Sequence, residues 1–234
     1  MNPVARSASG FLASLSADDF EAIRPNLRTV ELSQERLLIE AGDAIEQVYL
    51  PHSGVISHVV ELETGDRVEV GMIGRDGVLG GLAALGEAVA LTSAVVLLPG
   101  AASVIDVDQL RAAAERSKTL RTTLARHGQA LVAQARQTAA CNAVHVVEAR
   151  LARWLLRVRD LVGSDQFTLT QELMAQMIGA RRNSVSLVAH MLQQANYISY
   201  SRGHVKILDL EGLAKTACEC YATLRSHNER LRVI

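Results

Sequence analysis

The feature that most constrains the fold of this chain is a pair of apolar stripes separated by a glycine, in "LTQELMAQMIGARRNSVSLVAHML" (residues 169–192). Thr170 is placed to cap a first short helix. Gly179 supplies the backbone freedom for a tight turn, and a second helix begins near Arg182. In the second helix four apolar residues recur at helical spacing and must face a core: Val185, Val188, Ala189 and Leu192. The stretch therefore predicts two short helices joined by a tight turn.

The outward face of the second helix is polar near its N-terminus, where we expect Arg182, Asn183, Ser186 and Leu187. In a helix-turn-helix protein, this is the part of the recognition helix that reaches base edges in the major groove. The sequence has no acidic residue between Glu172 and Asp209, whereas Arg181, Arg182, Arg202 and Lys206 fall in that interval. A stretch with this excess of positive charge favours the binding of phosphate groups. The alternative interpretation is a mildly basic helical domain that binds other proteins.

A basic hairpin is predicted directly after the second helix, in "NYISYSRGHVKILDL". Two short β runs flank a turn at Arg202-Gly203, and such a wing can present cations to a neighbouring phosphate. The candidate DNA-contacting residues are therefore Thr170, Gln171, Arg181, Arg182, Asn183, Ser184, Ser186, Leu187, Arg202, His204 and Lys206.

The N-terminal half of the chain has a different residue pattern. From Arg28 to Asp106 it is punctuated by glycines and rich in alternating apolar residues, with a hairpin expected at Gly65-Asp66, which predicts an antiparallel β-roll or jelly roll. Before it, Ser16 is positioned as the N-cap of a short helix. The fold class is accordingly α+β.

A long helix is predicted from Ser117 to about Asn142, where glycine becomes sparse. A stripe of residues recurs along it at alternating spacings of four and three, which is typical of a helix that pairs with another chain. A helix packed on its own domain is the alternative. The candidate dimer-interface residues are Leu120, Leu124, His127, Leu131, Gln134 and Thr138. A further amphipathic helix follows and ends at Gly163.

Composition limits the remaining function classes. The net charge is −1, which argues against a protein that coats polyanions generally but leaves room for a local basic patch. We expect a cytoplasmic protein without a membrane segment, because a signal-peptide pattern is missing and the longest apolar run is interrupted by Thr92, Ser93 and Pro99. Only Cys141, Cys218 and Cys220 are present, an odd count without zinc-type pairs, so the sequence suggests neither a disulfide scaffold nor a metal site.

The order of these parts resembles the Crp/Fnr family of bacterial transcription regulators. The resemblance runs from about Phe11 to Leu210 and is most specific in "LTQELMAQMIGARRNSVSLVAHMLQQANYIS", through Thr170, Gly179, Arg182, Ser184 and Val185. It implies a sensor roll over residues 1–116, a dimerisation helix over 117–145 and a winged helix-turn-helix domain over 146–234. It also implies a non-enzymatic homodimer that reads an inverted repeat in double-stranded DNA and contacts RNA polymerase.

The resemblance assigns individual roles on the second helix. Arg182 matches the arginine that reads guanine in the family. Asn183 falls where many members carry a glutamate, and Leu187 falls where some carry a second base-reading arginine. Because asparagine prefers adenine and leucine offers only apolar contact to a thymine methyl, we expect a half-site that differs from the family consensus.

The cyclic AMP cassette of the family is not matched in this chain. Gly81 stands at the expected glutamate position and Leu91 near the expected arginine, so a bound cyclic phosphate would lack a cation. The candidate effector-pocket residues are Gly80, Gly81, Thr92 and Ser93. We expect no cofactor, because an N-terminal cysteine cluster for iron–sulfur chemistry is missing and only His52, His58 or His127 offer a weak route to haem.

Two alternatives lie outside DNA binding. A cupin-like metal-dependent enzyme would use His52, His58 and Glu61, but the paired His-x-His spacing is missing. A redox sensor would use Cys218 and Cys220. We expect these two thiols on different faces of one C-terminal helix, one buried and one exposed, where a disulfide between them would be strained.

Overall fold

The structure is a computed structural model that describes residues 5–86 and 89–233. Residues 1–4, 87–88 and 234, which the predicted domains include, lie outside the described part. The described residues form two compact units, of which the second comprises Val59–Gly71 and Ala133–Glu229 and the first comprises the rest. The three predicted domain ranges stay a prediction.

The β-roll is built from two β-sheets and flanking helices, and it belongs to the first unit except for its hairpin segment Val59–Gly71, which belongs to the second. Its elements are α1 (Gly10–Ser14), α2 (Ala17–Ile23), β1 (Arg28–Leu32), β2 (Leu37–Ile39), β3 (Gln47–Pro51), β4 (Val55–Glu61), β5 (Arg67–Ile73), β6 (Ser93–Leu98), β7 (Gly100–Asp106) and α3 (Val107–Arg116). The strand orders are β1-β7-β3 and β2-β6-β4-β5. Strand β7 pairs antiparallel with both neighbours, and Arg28 lies opposite Val104. The predicted antiparallel roll is confirmed.

The apolar residues of the roll strands form its interior. Leu32, Ile56, Val96 and Val104 are buried in one cluster, as the alternating sequence pattern predicts. The cap at the first unit's N-terminal side is also confirmed, because the Ser16 hydroxyl accepts a hydrogen bond from the Asp19 amide at 3.1 Å.

The hairpin between β4 and β5 forms where the turn residues predict it. The Leu62 amide donates to the Asp66 carbonyl oxygen at 2.9 Å, and Gly65 has a φ of 83°, which a residue with a Cβ rarely adopts. The predicted hairpin at Gly65-Asp66 is confirmed.

The long helix α4 spans Lys118–Val144, as predicted. Its stripe residues, however, face their own chain: Leu120 and Leu124 are fully buried in the core of the first unit, and the His127 and Phe11 rings pack edge to face with their centroids 5.0 Å apart. Leu131 is partly buried against the roll core, and Gln134 and Thr138 are buried. The interface prediction is wrong for Leu120 and Leu124, because a stripe shows which face is buried but not which chain buries it.

The second unit combines the end of α4 with the C-terminal elements. These are α5 (Val147–Val162), β8 (Gln166–Thr168), α6 (Gln171–Ile178), α7 (Arg182–Gln194), β9 (Ile198–Ser201), β10 (His204–Ile207), α8 (Leu210–Thr216) and α9 (Cys220–Val233). Helix α5 ends at Gly163, as predicted. Among the described residues, every helix is too short or too polar to cross a lipid bilayer.

A buried hydrogen bond joins the β4–β5 hairpin to α5 within the second unit. The indole Nε1 of Trp154 donates to Glu69 Oε1 at 2.9 Å, and both residues are buried. Val68, beside Glu69, lies against Gly179, where a Cβ would come within 3.2 Å of its side chain. The hairpin tip therefore contacts the helix-turn-helix elements directly.

The three cysteines are all buried. Cys218 lies in the connection before α9, whereas Cys220 is the first residue of that helix. The expectation of one buried and one exposed thiol on a single helix is wrong, because Cys218 precedes the helix and both thiols are buried.

Candidate DNA interface

The predicted helix-turn-helix is present with its capping contacts. The Thr170 hydroxyl accepts from the Leu173 amide at 3.1 Å and so begins α6. Gly179 ends that helix in the left-handed conformation, with φ 59° and ψ 49°. Helix α7 then begins at Arg182 and buries the four apolar residues assigned to the core. The opposite face of α7 is exposed and accessible to a binding partner such as DNA.

The N-terminal part of α7 presents polar side chains. Arg181, Arg182 and Asn183 are exposed, and Leu187 is 62% exposed. Arg182 Nε lies 3.6 Å from Glu172 Oε2, and both side chains are more than half exposed. An exposed pair of this kind contributes at most about 1 kcal/mol, so a phosphate or base can displace it at small cost.

Other predicted contact residues are engaged within the fold. The Ser186 hydroxyl donates to Gln171 Oε1 at 2.6 Å, which joins α7 to α6. Ser184 is half-buried in the first turn of α7. The Ser186–Gln171 bond therefore fixes α7 against α6, and a DNA contact from either side chain requires this bond to be shared or exchanged.

The wing is a three-stranded sheet in the order β8-β10-β9. Arg202 and Gly203 both have positive φ, at 49° and 82°, as type I′ hairpin turns require. On β10 the exposed His204 and Lys206 alternate with the buried Val205. Arg202 is also exposed. The predicted wing cations are therefore accessible.

Sequence reasoning missed strand β8 and its side chains. Thr168 lies opposite His204 in the sheet, and its hydroxyl is 3.1 Å from His204 Nδ1. A strand of three residues is too short to produce a recognisable alternation, although the run "QFT" between Gly163 and the Thr170 cap is the signal that marks it.

The predicted effector residues of the first unit are closely packed or hydrogen-bonded within the fold. Gly80 has a φ of 79° and precedes a tight turn, and a Cβ on Gly81 would come within 3.1 Å of Leu124 and Val78. The Thr92 hydroxyl bonds His58 Nδ1 at 3.2 Å. The Ser93 hydroxyl accepts from the Ala41 amide at 3.1 Å.

The residues considered for a cupin-like or haem site contact other groups. His52 Nε2 lies 2.8 Å from the Ser103 hydroxyl, and Glu61 pairs with Arg67 at 2.8 Å. Burial lowers the pKa of His58 to about 4, so this imidazole is neutral at physiological pH. The described contacts of the two histidines and of Glu61 do not favour the enzyme alternative.

A β-roll followed by a winged helix-turn-helix defines the class of helix-turn-helix proteins that carry an N-terminal β-roll domain. Comparison with known families agrees: the cyclic nucleotide-binding domain matches residues 29–117, and the Crp-like helix-turn-helix domain matches residues 149–216. The chain belongs to the Crp/Fnr family of transcription regulators. It is thus a transcription regulator with a helix-turn-helix DNA-binding domain.

Solved structures of this family share the fold. FixK2 from Bradyrhizobium japonicum has a TM-score of 0.71 at 14% identity, with 82% of this chain and 98% of that chain covered. The c-di-GMP responsive regulator CLP of Xanthomonas campestris has a TM-score of 0.67 at 15% identity, with 82% and 99% covered. A Crp/Fnr-family regulator from Thermus thermophilus has a TM-score of 0.66 at 20% identity, with 81% and 98% covered. Comparison with curated proteins gives no match.

Proposed function

We propose that this regulator binds an inverted-repeat DNA site as a homodimer, with α7 of each protomer in the major groove and the β9–β10 wing on the flanking backbone. The observation that carries this proposal is the exposed N-terminal face of α7, where Arg182 and Asn183 project beyond a buried apolar stripe. Base edges in the major groove are read by such side chains. The wing cations Arg202 and Lys206 suit phosphate, which positions a protein without specifying sequence.

Selection of bound sequences from random duplex DNA tests this function. We expect enrichment of two half-sites in inverted orientation, with one guanine per half-site for Arg182 and an adenine preference attributable to Asn183. Half-site centres should lie one helical turn apart, or a multiple of it. Recovery of random sequence, or of a single half-site, would contradict the proposal.

A contact with RNA polymerase belongs to the same proposal on the basis of family membership alone.

The dimer surface proposed here is the exposed face of α4 rather than its buried stripe. Three exposed residues lie along one side of this helix: Thr122, Gln129 and Val132. They are seven and three residues apart, spacings that keep side chains on the same side of a helix. Val132 is a large apolar side chain on this face and is 46% exposed. A partner copy of the same helix would cover it.

Replacing Val132 by aspartate is expected to separate the protomers, because each interface would then carry an unpaired carboxylate. Sedimentation equilibrium gives the molecular mass, and DNA affinity should fall with dimer dissociation. Gln109→Asp, at an exposed position of α3, adds the same charge elsewhere and should leave the dimer intact. An intact dimer for the Val132 variant would move the interface to another surface.

We also propose that cyclic AMP is not the effector. Leu91, near the position of the phosphate-binding arginine of the family, is 91% exposed. Gly81 offers only its backbone, and His58 is neutral because burial lowers its pKa. Calorimetric titration with cyclic AMP is therefore expected to give no heat, and operator affinity should not change. Micromolar binding that strengthens operator affinity would overturn this proposal.

A further inference from the structure

Four potential metal ligands converge in the second unit, outside α7 and the wing. They are Cys141 near the end of α4, His145 in the connection to α5, and Cys218 and Cys220 around the start of α9. Their donor atoms all lie within 4.8 Å of one another. Cys141 Sγ is 3.5 Å from Cys218 Sγ, and Cys220 Sγ is 3.7 Å from His145 Nδ1. The three thiols are buried and the imidazole is half-buried.

We propose that Cys141, His145, Cys218 and Cys220 form a tetrahedral zinc site. Structural zinc is bound by four such ligands, and Cys₃His is one of its usual donor sets. Zinc–sulfur bonds of about 2.3 Å and zinc–nitrogen bonds of about 2.0–2.1 Å place tetrahedral donors roughly 3.5–3.8 Å apart. The Cys141–Cys218 and Cys220–His145 donor separations are close to these edges, and the other donor pairs, all within 4.8 Å, would close by at most about 1 Å on binding zinc.

The groups around the four donors are those expected of a zinc centre. His145 directs Nδ1 toward the thiols, while its Nε2 lies 3.2 Å from Glu219 Oε1. A ligating histidine usually donates its second ring N–H to a carboxylate in this way, which holds the ring in position. The Gln137 amide donates to Cys220 Sγ at 3.0 Å, a bond that stabilises a metal-bound thiolate.

The charge balance of the surroundings also favours an anionic metal centre. Three thiolates, one neutral imidazole and Zn²⁺ carry a net charge of about −1. Arg150 and Arg153 are buried close enough to Cys141 to interact electrostatically with it. The Nε atoms of both guanidinium groups lack a hydrogen-bond partner among the described residues. A buried cation needs a compensating charge, and the zinc–thiolate centre supplies one.

Other uses of the same thiols fit less well. An iron–sulfur cubane carries one ligand on each of four irons and would hold its donors much farther apart than these lie. A redox sensor needs an accessible thiolate, whereas Cys141 and Cys218 are both buried. Zinc therefore remains the assignment that uses all four side chains.

The ligand set escaped sequence reasoning because its members are separated by most of the C-terminal half. Cys141 and His145 are four residues apart, so their side chains share one side at the end of α4, and this spacing was the available signal. The three cysteines taken without His145 form no zinc-type pairs, so the sequence analysis did not predict a metal site. A bound zinc ion would tie the end of α4 to the segment before α9.

Metal analysis of the full-length, untagged protein, purified with reductant and without chelator, tests the proposal. We expect elemental analysis by mass spectrometry to give one zinc ion per chain. After zinc removal, added Co²⁺ should produce the visible absorption bands of tetrahedral thiolate-bound cobalt, and zinc should abolish them. The midpoint temperature of thermal unfolding should fall when zinc is removed and recover when zinc is added back, because the ion binds only the folded arrangement.

Ligand variants separate a metal site from a buried cysteine cluster. His145→Ala and Cys218→Ser should lose stoichiometric zinc and the cobalt spectrum, whereas Val144→Ala, at the exposed neighbouring position, should keep both. Glu219→Gln should retain one zinc ion but weaken its affinity by roughly 10–100-fold, the effect of losing a carboxylate behind a ligating histidine. His145→Ala retains all three buried thiols, so it keeps the test valid if Cys218→Ser does not fold.

Three results would overturn the assignment. The first is a folded wild-type protein that contains no zinc and gives no tetrahedral cobalt spectrum. The second is a Cys141–Cys218 disulfide, detected by mass spectrometry as the loss of two hydrogens, in protein purified without reductant. The third is stoichiometric iron in place of zinc.

Discussion

Replacing Trp154 by alanine is expected to lower the free energy of unfolding of the second unit by about 3–5 kcal/mol, the usual cost of removing a buried tryptophan side chain. Trp154 is 1% exposed at the centre of α5, and its Nε1 donates to the buried Glu69 carboxylate. The substitution removes both the apolar contacts and this hydrogen bond. Urea unfolding followed by circular dichroism measures the loss.

Trp154→Phe separates the two contributions. Phenylalanine keeps most of the apolar volume but has no N–H, so the expected loss is about 1–3 kcal/mol, the usual cost of removing one partner of a buried hydrogen bond. Glu69→Gln keeps an acceptor for the indole and should cost less than Trp154→Phe. A phenylalanine variant as stable as the wild type would show that the Trp154–Glu69 bond does not help to hold the hairpin on α5.

Replacing Arg182 by alanine is expected to remove about 1–3 kcal/mol of base discrimination per half-site, the contribution of a bidentate guanine contact. In a dimer the loss occurs twice. Preference should flatten at one position of each half-site while the remainder of the motif persists. Sequence selection with the variant, alongside affinity measured at fixed salt, provides the test. An unchanged motif would remove Arg182 from the base-reading role.

Lys206→Ala is the matched control on the wing. Because a phosphate contact carries no sequence information, affinity should fall equally for all sequences, and the slope of log affinity against log salt should decrease by about one per protomer. Lys206 is exposed on β10, so the substitution should not affect folding. If Lys206→Ala changes the selected sequence instead, the roles of the wing and the recognition helix are reversed.

The helix-turn-helix was predictable because its signals are local. Thr170 caps a helix through its own backbone neighbours, and Gly179 adopts a conformation that residues with a Cβ rarely reach. The apolar spacing of α7 defines a buried face by helix geometry alone. The wing turn at Arg202-Gly203 was predictable for the same reason. Each of these features depends on residues within a few positions of one another.

The exposure of the recognition face was also predicted, but its internal contacts were not. The Ser186–Gln171 hydrogen bond joins residues on two helices, and its formation depends on the angle at which those helices cross. The pairing of Arg182 with Glu172 has the same origin. Sequence spacing shows which side chains share a face, whereas the distance between faces follows from how the two helices pack.

The sequence by itself determined the order of a β-roll, a long helix and a winged helix-turn-helix, because periodicity, caps and turn residues act over short stretches of chain. Only the tertiary structure decided that Leu120 and Leu124 fill the core of their own unit and that Glu69 meets Trp154. It also decided that Cys141 lies beside Cys218, 77 residues further along the chain. Contacts between distant segments depend on how whole elements pack, and no local pattern in the sequence records that arrangement.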